Sequence, residues 1–119
     1  MSAAHLTPLE QQIASFTAAR AEARRGTRRV WVFGSRARRA STEFSDLDIA
    51  VEFQDAETVE NRAWLEDVRE AAEAPVVDQW PGFVNLVGLY ANDTDTRLAK
   101  RVHAEDVLIW QRGDDRAAR

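Results

Sequence analysis

From Leu47 to Phe53 the chain alternates without a break: Leu47, Ile49, Val51 and Phe53 are apolar, Asp48, Ala50 and Glu52 fall between them, and Asp46 extends the second set backwards. A period of two is the period of a half-buried strand. With the apolar set facing a core, Asp46 and Asp48 leave the chain together on the opposite side. Upstream, Val30-Trp31-Val32-Phe33 is a β-branched and aromatic run stopped by Gly34, which reads as a buried strand. The ten residues from Arg36 to Ser45 are polar and arginine-rich, with room for a helical turn or two.

The rest of the chain supplies elements to pack on such strands. Thr7-Pro8-Leu9-Glu10 reads as a helix start, with Thr7 as cap, Pro8 in the first turn and Glu10 reaching back. Leu9, Ile13 and Phe16 follow at helical spacing and Gly26 ends the segment, predicting a helix near 8–24. Residues 57–73 are rich in helix formers, with Val59, Ala63, Leu65 or Trp64, Val68 and Ala72 available for a buried stripe. Pro75 marks the end, and Val76-Val77-Asp78-Gln79-Trp80 is predicted as a third strand. Pro81-Gly82 breaks the pattern, and Phe83 to Tyr90 is apolar with a periodicity that suits strand or helix. A helix over 93–103, a last strand over 107–110 and a mobile tail over 112–119 complete the reading. The expected fold class is α/β (α+β): a small mixed β-sheet with flanking helices in one domain, residues 1–111.

Composition narrows the function classes. A chain of 119 residues supports one core and leaves little for a separate substrate domain. It has no cysteine, so disulfides, thiolate metal sites and thiol nucleophiles are excluded. Its apolar runs are too short to span a bilayer and no signal pattern opens the chain, so the expectation is a cytoplasmic protein with no membrane partner. Neither G-x-G-x-x-G nor G-x-x-x-x-G-K-[ST] occurs, which argues against dinucleotide and P-loop folds. The net charge of −4 hides an asymmetry: seven arginines and no acid lie between Arg24 and Arg39, and eleven acids lie between Glu43 and Glu73. A local basic block binds phosphate without making the whole chain a nucleic-acid binder, and nucleic acid is therefore a secondary partner class. His5 and His103 are isolated, which suits surface or helix-end positions better than catalysis or zinc ligation. The four tryptophans, Trp31, Trp64, Trp80 and Trp110, read as core or partner-facing aromatics.

Chemistry concentrates where the two charge blocks meet. Two carboxylates projecting from one side of a strand repel unless a cation lies between them, and hard oxygen donors suit magnesium. D-x-D alone is common on exposed strands. Its conjunction with Gly34-Ser35 is more specific: a glycine after a buried strand lets the backbone approach a ligand, Ser35 adds a hydroxyl, and a helix starting there aims N–H groups at an anion. Arg36 and Arg38 add charge to such a phosphate clamp. Phosphate and metal sites adjoin where a nucleoside triphosphate arrives with its metal.

Phe33-Gly34-Ser35, ten residues, then Asp46-Leu47-Asp48-Ile49 resembles the signature of the polymerase-beta-like nucleotidyltransferase superfamily, in its minimal nucleotidyltransferase branch. The resemblance is strong from Val30 to Val51 and weak beyond. It implies that fold, transfer of AMP from ATP to a hydroxyl, Gly34, Ser35, Arg36 and Arg38 as nucleotide-binding residues, and two Mg²⁺ ions held by catalytic Asp46, Asp48 and a third carboxylate. Two positions fit the third place. Asp78 follows the helix directly, thirty residues after Asp48, and is the one chosen, nearest the acceptor; Val84-Asn85-Leu86-Val87 also fits, with asparagine in the acidic position. Arg39 stands where the family often has glycine. Stand-alone members of this size resemble the antitoxin half of two-component systems whose HEPN-domain ribonuclease toxin they adenylylate on tyrosine, which implies a hetero-oligomer with that toxin. A small-molecule acceptor, or a non-catalytic module that neutralises a toxin or binds RNA, are the alternatives.

Overall fold

In the computed structural model the described residues are 6–34, 46–54, 58–79, 82–90 and 107–113. The expected helix over 93–103, most of the tail, and Ser35, Arg36, Arg38, Arg39, His5, His103 and Trp80 lie outside them.

The first helix, α1, runs Pro8–Glu22. Its start is the expected capping box: the Glu10 amide donates to Thr7 Oγ1 (3.2 Å) and the Thr7 amide to Glu10 Oε1 (2.8 Å). Ile13, Ala14, Ala18 and Ala21 are buried, so a face of small residues lets the helix lie close on the sheet. Leu9 and Phe16 pack at its margin.

Strand β1 spans Thr27–Phe33 and β2 Leu47–Phe53, paired antiparallel with Val30 opposite Val51 and Phe33 opposite Asp48. β1 starts earlier than its apolar run, with Thr27 opposite Phe53, and Arg29 and Glu52 form an ion pair across the ladder at 2.8 Å. The second helix, α2, spans Val59–Glu73, capped by Thr58, whose hydroxyl accepts from the Asn61 amide at 3.0 Å. Its buried face is Asn61, Leu65, Val68 and Ala72. Val59 is off that stripe and 66% exposed, because it lies in the first turn on the far side from Leu65.

The described residues of the expected strand at 76–80, which are 76–79, are not in a strand. Pro75 enters a 3-10 turn, Ala74–Val76, and Val77 continues in helical backbone (φ −56°, ψ −34°), with the Gln79 amide donating to the Val76 carbonyl at 2.8 Å. The third strand is the stretch that periodicity left open. β3, Val84–Leu89, pairs parallel with β2, and α2 is the crossover such a pair requires. β4, Val107–Gln111, pairs antiparallel with β1, giving the order β3-β2-β1-β4. The expected mixed sheet with flanking helices is the observed fold, and among the described residues no helix is long and apolar enough to cross a membrane.

Both helices pack on one face of the sheet. Val30, Val32, Leu47, Ile49, Val51 and Phe53 point into that core, and Phe53 stacks on Tyr90 at 5.4 Å and meets the Trp64 ring edge-on at 5.8 Å. On the other face Trp31, Phe33, Ala50 and Leu89 form a second buried cluster.

The join between α1 and β1 is tied by Arg112, at the head of the stretch read as a tail. Its guanidinium donates to the carbonyls of Thr27 (2.8 Å), Arg24 (2.8 Å), Ala21 (3.2 Å) and Glu22 (3.4 Å), and its amide donates to the Arg28 carbonyl (2.8 Å). Thr27 Oγ1 donates to the Ala21 and Arg24 carbonyls. The carbonyls at the end of α1 thus meet a cation, favoured by both hydrogen bonding and the helix dipole. Arg112 belongs to the folded unit. Arg112→Ala is expected to cost about 2 kcal/mol, lowering the melting temperature by roughly 10 °C, with Arg112→Lys recovering only part because an ammonium lacks the planar fork; thermal and urea denaturation of the three proteins checks it.

Candidate active site

Strand directions bring three chain segments to one end of the sheet. β1 runs antiparallel to β2, so its C-terminal Phe33-Gly34 lies beside the start of β2, and β3 runs parallel, so its start lies there too. Phe33, Asp48 and Asn85 form one row across the three strands, on the face away from the helices.

Asp46 and Asp48 converge on a single side chain. Asn85 Nδ2 donates to Asp46 Oδ2 at 3.2 Å and to Asp48 Oδ1 at 3.1 Å. The Phe83 amide donates to Asp46 Oδ1 at 3.0 Å, while the Phe83 carbonyl accepts from the Leu47 amide at 2.9 Å. All three polar side chains are half-buried. Two carboxylates that share one amide group repel, more strongly at a protein surface than in water, and donors aimed at both offset that repulsion.

Gly34 closes the other side. Its φ is +78°, a conformation side chains rarely adopt, and a Cβ there would stand 2.5 Å from Asp48 Oδ2. The close approach that the glycine permits in the structure is to Asp48.

Asp78 is not brought to this pair. It is exposed in the turn that follows the 3-10 segment, and the register neighbour of Asp48 on β3 is Asn85. Among the described residues no three His, Cys, Asp or Glu side chains are grouped to share a metal ion. The reason is backbone path: the chain leaves α2 in helical conformation and reaches the sheet only at Val84.

Sequence reasoning missed Glu73. Its Oε2 accepts from the Val84 amide at 3.1 Å and its Oε1 from Arg69 at 3.1 Å, so the last turn of α2 anchors the residue before Asn85. Arg69 also hydrogen-bonds Glu66, and that bond holds the Glu66 carboxyl below its usual range. The spacing of Glu66, Arg69 and Glu73 advertises helix-surface pairs, but the bond to Val84 depends on β3 being a strand.

The described site is thus a pair of carboxylates at a strand start, held against a glycine turn on a four-stranded mixed sheet. The family of polymerase beta nucleotidyltransferases matches residues 19–115, and the chain belongs to that family. Among solved structures, a toxin–antitoxin complex with AMP-PNP superposes with a TM-score of 0.63 at 19% identity, covering 92% of this chain and 78% of that one. The toxin–antitoxin MntA-HepT gives 0.55 at 21% identity over 92% and 76% of the two chains. A provisionally assigned minimal nucleotidyltransferase gives 0.51 at 27% identity, covering 90% and 95%. No curated protein sequence matches this chain.

Gly34→Ala is expected to destabilise by about 1–2 kcal/mol from the backbone alone. It should also displace the Asp48 carboxylate. Thermal denaturation together with calorimetric titration of Mn²⁺ checks both, with weakened ion binding beyond what the loss of stability explains as the expected result.

Proposed function

We propose that this chain is a Mg²⁺-dependent nucleotidyltransferase that moves AMP from ATP to a hydroxyl of a protein partner, acting in the cytoplasm as the antitoxin of a HEPN-domain toxin. The observation that carries it is the convergence of Asp46 and Asp48 beside Gly34 in a chain of the polymerase beta nucleotidyltransferase family. Structural neighbours that are toxin–antitoxin complexes, one with an ATP analogue, support the partner class and the nucleotide.

The residues fit a divalent ion: two half-buried carboxylates with oxygens on one side, already near one another. Asp46 and Asp48 would hold Mg²⁺ there, and it would supply charge neutralisation for the triphosphate and polarisation of the attacking oxygen. The acceptor oxygen forms a bond to the α-phosphorus, the bond to pyrophosphate breaks, and the hydroxyl proton is released. Gly34, Ser35, Arg36 and Arg38, which follow β1 in the chain, are assigned to the triphosphate on sequence alone. Asp78, exposed in its turn, is given no role. Catalysis in this scheme is positioning and electrostatics, with no protein nucleophile.

The experiment is intact-mass measurement of the partner toxin after incubation with this protein, ATP and Mg²⁺. A gain of one or more AMP units is expected. Asp48→Asn should melt within a few degrees of wild type yet lose at least about a hundredfold in transfer. A stable complex with no added AMP would point to a binding antitoxin, the second reading, which the neutral Asn85 beside the carboxylates favours.

A further inference from the structure

The third polar side chain of the site is an amide, and its position is set by the fold. Register places residue 85 beside Asp48, Glu73 and Asp46 anchor the neighbouring amides of Val84 and Phe83, and the side chain at 85 therefore has to face both carboxylates. An –NH₂ group has two donors, and Asn85 spends one on each aspartate. An aspartate there would donate nothing and add a third negative charge to the same row. Such a site would come together only around cations.

Resting on the metal-dependent reading above, we propose that Asn85 is a positioning residue that keeps Asp46 and Asp48 assembled before any cation binds, and that with a neutral third position this chain holds a single divalent ion in the absence of nucleotide. The carboxylate pair is then preformed, and ion binding is not needed to build it.

The test uses the full chain as wild type, Asn85→Asp and Asn85→Leu, melted in EDTA and in millimolar Mg²⁺, with Mn²⁺ uptake without nucleotide counted by electron paramagnetic resonance. Wild type is expected to stay folded in EDTA, to gain in Mg²⁺ only the stabilisation that binding one ion gives, and to take up one Mn²⁺ per chain. Asn85→Asp should melt several degrees lower in EDTA, recover with Mg²⁺, and bind Mn²⁺ about tenfold more tightly, because affinity follows ligand charge. Asn85→Leu, with no donor and no charge, should also melt lower in EDTA. Wild-type uptake of two Mn²⁺, or Asn85→Leu as stable in EDTA as wild type, would overturn the proposal while leaving the transferase reading intact. No Mn²⁺ uptake by wild type would overturn the proposal as well, while the transferase reading falls only if no AMP is transferred with ATP and Mg²⁺ present. The wild-type count decides the matter even where a variant fails to fold.

Discussion

The parallel pairing of β2 with β3, in the register that sets Asp48 beside Asn85, is the constraint on which the site depends. A slip of one residue would turn Asn85 toward the helices and bring Val84 or Leu86 to the carboxylates, because side chains alternate faces along a strand. Several bonds hold the register near the site. Leu47 and Phe83 exchange a backbone bond just before the ladder starts, Asp46 takes the Phe83 amide, and Glu73 takes the Val84 amide. The Asp46 carboxylate therefore also serves the register, so the carboxylate pair and the edge of the fold that carries it are a single structural unit.

Burial does the same work from the other face. Leu47, Ile49 and Val84 are wholly buried under the helices at the start of the two strands, so a register slip would expose them. At the far end of β3 a glycine belongs to the same arrangement. A Cβ at Gly88 would stand 2.6 Å from the Tyr90 hydroxyl, and the space it leaves lets Tyr90 fold back over the strand and stack on Phe53. Arg24 lies over both Phe53 and Trp64, at 5.4 and 5.1 Å, so one residue of the basic block closes the aromatic group instead of reaching for phosphate.

What was legible in the sequence was what local chemistry determines. The capping box at Thr7, the alternation from Leu47 to Phe53, the stop at Gly34 and the pair Asp46 and Asp48 each depend on residues close in sequence, and each is present in the structure. The third strand was not legible. Val76-Val77 has strand composition yet lies just after Pro75 in helical backbone, while Phe83 to Tyr90 lacks alternation because Gly88 interrupts it and both faces of β3 are partly covered. Only the free edge of β2, known once the sheet is built, selects between them. The choice between Asp78 and Asn85 followed from that one decision, so a single misassigned strand moved a site residue.

The two faces of the sheet divide the labour unequally. The helix-covered face holds most of the fully buried side chains and hence most of the hydrophobic stabilisation. The opposite face carries Phe33, Asp48 and Asn85 in one row, and the next row is Trp31, Ala50 and Val87, which belong to the second apolar cluster. The carboxylates thus border apolar side chains on the same surface. A boundary of that kind lowers the local dielectric, which strengthens their mutual repulsion when bare and their attraction for a cation when one is present. The same neighbours that make the pair costly to assemble make it effective once assembled, and the donors of Asn85 and Phe83 are what let the fold tolerate the first in order to have the second.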